Sequence, residues 1–356
     1  MASKETILKV LGEVQFPGLE KSIVELGYIK AIDESADPPQ IRLEIATPHA
    51  QAAAAIERDV RAALERAGIA AALDIHRGAV APSSGTAKRP LIEDLAPGVR
   101  HKIIVASGKG GVGKSTVAVN LALGLAAQGH RVGLLDADIY GPSVPTMLGV
   151  ADRRPEATGG KLLPVSAHGI QAVSLGFLTE GLNPIIWRGP LASRAIEQLL
   201  ADVDWSGVDE LVLDLPPGTG DIQISIAQKA NPTGAIIVTT PQDVALIDAI
   251  RGVHMFRKVE VPVIGVVENM STFACPHCGR ESNIFPRGAL HHELERLEVP
   301  MLGSIPIDPA VAAGGDRGEP IVSAHPDSAA ARAYRHLAAL VAERIAAAAP
   351  ASPEGQ

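Results

Sequence analysis

The sequence predicts an α/β fold: a mostly parallel, doubly wound sheet with helices on both faces, preceded by a small α/β module. Three observations predict it. Gly108-x-x-x-x-Gly113-Lys114-Ser115, a phosphate-binding loop pattern, lies between an apolar run at 102–106 and a segment with Val117, Leu121 and Leu125 at helical spacing. Further along, strand-length apolar runs alternate with helical segments, as in a parallel sheet covered on both sides. Before the loop, a separate set of short strands and helices is set off by a stretch rich in Ala, Pro, Ser and Gly. The chain of 356 residues has room for two domains. The expected division is a small domain at 1–76, a flexible linker at 77–100, the phosphate-loop domain at 101–349 and a tail at 350–356.

Composition narrows the function. A chain that is 46% hydrophobic and 20% charged has the make-up of a soluble protein with an ample core. Its net charge of −8 gives no electrostatic reason to bind nucleic acid or an anionic membrane. The first ten residues, MASKETILKV, lack a sustained apolar region, and no apolar stretch reaches the roughly 20 residues of a membrane span. A cytoplasmic location is expected.

In the small module, Glu5 to Val14 places Ile7, Val10 and Leu11 on one helical face, and Pro17-Gly18 marks a turn. Ser22 to Leu26 reads as a second short helix. Residues 28–32 and 40–45 read as strands around the breaker Asp37-Pro38-Pro39. A helix at 51–67 and a strand at 71–76 follow. Residues 77–100, including Ala81-Pro-Ser-Ser-Gly-Thr86, have no periodicity and read as linker.

The loop SGKGGVGKST is where chemistry enters. Gly108, Gly110, Gly111 and Gly113 let the backbone approach a ligand, and the N–H groups from Gly108 through Val112 to Thr116 can surround phosphate oxygens at a helix start. Lys114 supplies a point charge for the β- and γ-phosphates, and the Ser115 hydroxyl is a natural Mg²⁺ ligand. Lys109, a second lysine inside the glycine run, is surplus to a monomeric phosphate site. This GKGGVGKST form resembles the deviant loop of the MinD/ParA-like ATPases. That resemblance implies a P-loop NTPase fold, ATP as ligand, and a homodimer in which Lys109 reaches the partner's nucleotide.

Further along, the strand at 131–135 ends in Asp136-Ala-Asp138. A carboxylate there, beside the phosphate loop, can order Mg²⁺ waters or the attacking water; the resemblance assigns this to Asp138, while for Asp136 such a role and a purely structural one, as a carboxylate or cap, are equally open. Residues 153–165 read as loop, 170–175 as strand and 191–201 as helix. The strand at 210–214 ends in Asp214, suited to a water-mediated Mg²⁺ contact, and Leu215-Pro-Pro-Gly-Thr-Gly-Asp221 is a constrained loop suited to sensing the γ-phosphate. Strands at 235–239 and 261–267 flank a helix at 244–259. Asn269 follows the second strand, where its side chain can meet the adenine edge.

Two cysteines occur, Cys275 and Cys278, spaced Cys-Pro-His-Cys. In a reducing compartment such a pair points to metal or redox chemistry rather than a structural disulfide. A thioredoxin-like dithiol lacks its small fold here. Zinc within one chain would need two further ligands, and the adjacent His291-His292 do not match the usual spacing. A role confined to surface structure is a third reading. In a homodimer, two pairs would make four thiolates, the ligand set of a [4Fe–4S] cluster or of a shared zinc.

SGKGGVGKST, DADIYGPSVPTMLG, IIWRGP, DLPPGTGD, VVENMS and CPHCG occur in the order found in the Mrp/ApbC-type iron–sulfur cluster carrier ATPases, and the chain resembles that family from about 100 to 345. The PGLEKSIVELGYI segment is similar to the MIP-type small domain often fused ahead of them. Two departures stand out: Thr47-Pro-His-Ala-Gln51 lacks the cysteine often found there, and Phe285-Pro-Arg-Gly-Ala-Leu290 replaces a glycine-rich stretch. The resemblance implies a slowly hydrolysing ATPase that uses ATP and Mg²⁺, carries a [4Fe–4S] cluster on Cys275 and Cys278, and exchanges it with scaffold proteins and apo-proteins. In that reading Lys109, Lys114, Asp138 and Asp214 are catalytic. The other readings are a MinD/ParA-like positioning or partitioning ATPase and a zinc-bridged regulatory ATPase. Beyond the cysteines, a helix at 290–297, a strand at 301–304 and a last helix at 328–348 are expected. The last one aligns Tyr334, Leu337, Val341 and Ile345 as a docking face.

Overall fold

The computed structural model describes residues 4–12, 14, 22–24, 27–34, 38–46, 50–78, 94–139, 141–177, 189–275, 277–278, 280–286 and 288–348. They fall into two compact units, 1–91 and 92–356.

In the first unit, α1 (Lys4–Leu11) is followed by β1 (Ile29–Asp33), β2 (Gln40–Ala46), α2 (Ala50–Arg66) and β3 (Ala72–Gly78). β1 pairs antiparallel with β2, and β2 pairs parallel with β3, with α2 as the crossover that parallel neighbours require. Ile7, Leu11, Ile41, Leu43, Ile56, Val60 and Leu64 form its buried core. The expected helix at 22–26 is corrected at its described residues. Ile23 is buried, and its N–H donates to the Val14 carbonyl (2.9 Å), so Ser22 forms a bridge and Ile23–Val24 a turn.

The second unit is built on an eight-stranded sheet. Its first half contains β4 (His101–Ala106), α3 (Lys114–Ala126), β5 (Val132–Asp136) and the short α4 (Val144–Met147). A two-stranded ribbon, β6 (Ala157–Thr158) with β7 (Lys161–Leu162), precedes β8 (Val165–Ala167) and β9 (Ile170–Ser174). Then come α5 (Gly189–Asp202), β10 (Glu210–Asp214), α6 (Asp221–Lys229), β11 (Gly234–Thr239), α7 (Asp243–Lys258) and β12 (Val263–Glu268). A hairpin of β13 (Phe273–Ala274) and β14 (Glu281–Ser282) leads to α8 (Leu290–Arg296), β15 (Met301–Ser304), α9 (Pro309–Arg317), α10 (Ile321–Ala324) and α11 (Ala329–Ala348).

The strand order is β15-β12-β11-β4-β10-β5-β9-β8, parallel except for β8 at the edge. Strands β4, β5, β10 and β11 are buried along their whole length, which explains the apolar runs between their polar ends. Alternation along β4 divides the core. Ile103 and Val105 pack with α3, α10 and α11, while Ile104 and Ala106 pack with residues of α5 to α8. α3 is buried nearly all round because α11 covers the side that the sheet does not.

Two sequence expectations change. The stretch 153–165 contains β6, β7 and the start of β8 rather than loop alone. Strand β3 runs to Gly78, and Ala96 and Val99 are buried in the second unit's core, so both ends of the expected linker belong to folded units. The segment 79–93, residues 185–188 of the IIWRGP stretch and the tail at 350–356 lie outside the described residues.

Candidate nucleotide and metal site

The sheet's register assembles the site. The phosphate loop leaves β4 one residue after Ala106, and β10 lies between β4 and β5. In that register Asp214 stands opposite Val105 on one side and Asp136 on the other. Residues distant in sequence therefore meet at the carboxyl ends of three adjacent parallel strands, the usual ligand position in such sheets.

Gly113 opens α3 with φ of +81°, in the left-handed region, and a Cβ there would run into the side-chain amide of Asn269. A Cβ at Gly108 would collide with Asp248 of α7. Lys114, 5% exposed, places its ammonium 2.5 Å from Asp214 Oδ1, 3.4 Å from Asp138 Oδ2 and 3.1 Å from Ser115 Oγ. The second oxygen of Asp214 is buried without a hydrogen-bond partner. Burial pushes the Asp214 carboxyl up from its ordinary value, while Lys114 pulls it down. Two carboxylates and a hydroxyl around one cation, with one buried oxygen unused, fit a magnesium–nucleotide site of hard oxygen donors.

Asp136 has a structural task. Its Oδ1 accepts from the Asp138 N–H (3.0 Å), and its Oδ2 accepts from the Val144 N–H (3.3 Å) and the Ser174 hydroxyl (2.8 Å). These bonds fix the loop that carries Asp138. Burial, followed by repulsion from Asp214, raises the Asp136 carboxyl to about 7.

Asn269 is engaged at the loop itself. Its Nδ2 donates to the Val112 carbonyl (2.9 Å), and its backbone N–H donates to the Thr239 carbonyl (2.8 Å). Lys109 is half-buried, and among the described residues its ammonium has no ion pair. Sequence reasoning passed over Gln223, which holds the loop after Asp214; the Gly220-x-x-Gln223 spacing at a helix start was the available signal.

Cys275 and Cys278 sit in the turn joining β13 to β14, with the Cys275 N–H donating to the Arg280 carbonyl (3.0 Å). The hairpin is rooted beside the end of β15. Ser271 N–H donates to the Ile305 carbonyl (2.9 Å), and Ile307 N–H donates to the Thr272 carbonyl (2.6 Å). Cys275 is half-buried and Cys278 exposed. Backbone N–H groups of His277 and Cys278 hold the Cys275 thiol below its ordinary range, with the Cys278 side chain adding to the effect. That favours the thiolate, the ligand form. Among the described residues no group of three or more His, Cys, Asp or Glu side chains could hold a metal ion, so His291 and His292 do not complete a site with the cysteines. Cys275 comes six positions after Asn269, which keeps it within about 20 Å of the phosphate loop's contact residue.

Fold and site together define a P-loop NTPase, a class of nucleotide hydrolases. A model of the NUBPL iron-transfer P-loop NTPase family matches residues 98–342, and a model of an iron–sulfur cluster assembly protein family matches residues 4–70. The chain belongs to the NUBPL iron-transfer P-loop NTPase family, with the small assembly domain ahead of it. The iron–sulfur cluster carrier protein of Deinococcus radiodurans is 46% identical over 342 residues, covering 96% of this chain and 95% of that protein. Its counterpart from Helicobacter pylori is 41% identical, covering 95% and 92%. Among solved structures, a nucleotide-binding protein of Archaeoglobus fulgidus in complex with ADP aligns with a TM-score of 0.58 at 36% identity, covering 65% of this chain and 93% of that one. The cell-division ATPase MinD of Pyrococcus furiosus shares the fold, with a TM-score of 0.51, 23% identity, and coverage of 69% and 99%. No helix among the described residues is long and apolar enough to cross a membrane.

Proposed function

We propose that this chain is an ATP-hydrolysing homodimer that carries a [4Fe–4S] cluster on four cysteines, two from each subunit, and passes it to apo-proteins. The observation that carries the proposal is the cysteine hairpin. It presents two thiols at the surface with no third ligand among the described residues, on the same unit as a complete phosphate loop. A second copy supplies the missing pair, as the ligand set of such a cluster requires.

In this reading Lys114 and the loop N–H groups hold the ATP phosphates, and Ser115 ligates Mg²⁺, which neutralises phosphate charge when bound. Asp214 and Asp138 hold the waters around that ion, with Asp138 orienting the attacking one. Lys109 acts on the partner's nucleotide, and Asn269 meets the adenine while bracing the loop. Val244 and Ile247 of α7 are exposed, next to the Asp248 that packs on Gly108, and offer a second copy an apolar surface beside the nucleotide. Scaffold proteins supply the cluster and apo iron–sulfur proteins receive it.

Anaerobic reconstitution with iron and sulfide tests the proposal, comparing the natural chain with Cys275→Ala and Cys278→Ala. The expected result is about four irons per dimer, with the matching visible absorption, lost in either variant. Zinc alone, or no metal with hydrolysis intact, would overturn the carrier reading in favour of a regulatory ATPase.

A further inference from the structure

The loop between Asp214 and α6 is held by one side chain that the reaction itself does not use. Gln223 lies in the first turn of α6 and is 5% exposed. Its Oε1 accepts from the Gly220 N–H at 2.9 Å, and its Nε2 donates to the Pro216 carbonyl at 3.2 Å and the Pro217 carbonyl at 2.8 Å. The amide has one workable orientation, because flipping it would set oxygen against two carbonyls and nitrogen against an N–H. Both ends of the loop are thereby pinned, with Gly218 and Thr219 between them. Gly218 takes φ of +107°, and its N–H donates to the Ser107 carbonyl at 2.8 Å, where the phosphate loop begins. Ser107 in turn donates its hydroxyl to the Lys109 carbonyl at 2.9 Å.

We infer that Gln223 is a positioning residue for nucleotide hydrolysis: it clamps 216–220 so that the Gly218 N–H is aimed at the phosphate loop. This rests on the reading that the chain hydrolyses ATP. Helix capping alone would need only the acceptor oxygen facing Gly220. The two donor bonds to Pro216 and Pro217 serve the loop and not the helix, so the two roles can be separated chemically.

Gln223→Glu keeps the acceptor and sets a carboxylate against the two proline carbonyls. Gln223→Met keeps the length and volume and removes all three bonds. In the full chain, both variants are expected to lower kcat for ATP hydrolysis about tenfold or more with KM for ATP near the natural value, since misplacement of a group acts on the chemical step. Amide hydrogen exchange should also quicken in the peptide spanning 215–222, in both variants. Gln223→Glu with natural kcat and natural exchange would reduce the residue to a helix cap and overturn the inference. So would a loss confined to KM. If the natural chain shows no ATP hydrolysis, the reading of the enzyme fails; the exchange measurement then decides the clamp alone, and unchanged exchange in Gln223→Met overturns it.

Discussion

Replacing Lys114 by alanine would strip two buried or nearly buried carboxylates, Asp214 and Asp138, of the cation that stands between them. In the proposed reading it would also remove the charge that holds the nucleotide phosphates. Lys114→Ala is expected to lower kcat about 10²- to 10³-fold, the usual cost of losing a preorganised electrostatic contact, as measured by phosphate release. Hydrolysis at the natural rate would show that the ammonium only balances the carboxylates. Lys109 separates cleanly from it, because it has no ion pair among the described residues. Lys109→Ala should bind ATP with natural affinity yet fail to dimerise with ATP in sedimentation experiments; a normal ATP-dependent dimer would make it a surface cation. The residue types at these positions were legible from spacing alone. For Asp136 the sequence left a structural carboxylate as one of two readings, and the task of Gln223 was not legible at all, because both act through hydrogen bonds to backbone groups that only the folded loops bring near.

Among the elements, α3 and α11 show how an unremarkable helix pair sets the site's foundation. Tyr334, Leu337, Val341 and Ile345 of α11 are all buried, as their spacing implied, and α11 packs across α3 behind the phosphate loop. Gly124 permits that approach: a Cβ there would sit 2.9 Å from Ala338 Cβ and 3.3 Å from the Tyr334 carbonyl. Gly124→Ala sets overpacking of about 1–3 kcal/mol against a helix-propensity gain of at most about 1 kcal/mol. The net expectation is a destabilised chain with a lower Tm by calorimetry, and a raised Tm would show that the two helices can part without cost. Long elements with continuous apolar runs, such as β10 and β11, were readable from sequence to within a residue. The short pieces β6, β7 and α4 were not, because two to four residues carry no measurable period, and their pairing depends on neighbours far along the chain. α6 and α9 were also passed over. Each follows a Pro/Gly-rich stretch that reads as loop, and α9 is set by the Asp308 side chain accepting from the Ala310 N–H (2.9 Å).

For the molecule as a whole, the two ends of the sheet differ in their electrostatics. The carboxyl end gathers Asp136, Asp138, Asp214 and Lys114. At the amino end, His101 of β4 stands in register with Glu210 of β10, and burial lowers its pKa from the ordinary value while Glu210 opposes that shift. A histidine whose folded pKa lies below its unfolded one binds fewer protons when folded. Its contribution is therefore present above about pH 6.5 and is lost as pH falls through that value toward the folded pKa. Urea unfolding between pH 7 and pH 5 should show a steeper fall in midpoint for the natural chain than for His101→Gln, and parallel falls would sink this assignment. The comparison of two chains isolates His101 from Asp136, whose raised pKa acts in the opposite sense over the same range.

What the sequence determined by itself was local: the strand–loop–helix around Lys114, the period of the core helices and strands, the position of the cysteine pair, and the split into a small and a large unit. Each is a matter of neighbouring residues and of apolar period, which the chain states directly. Only tertiary structure decided that Asp136 and Asp214 face each other, that Asn269 braces Val112 and that Gln223 pins the loop after Asp214. These depend on strand order and register, and nothing in a linear sequence specifies which parallel strand lies beside which.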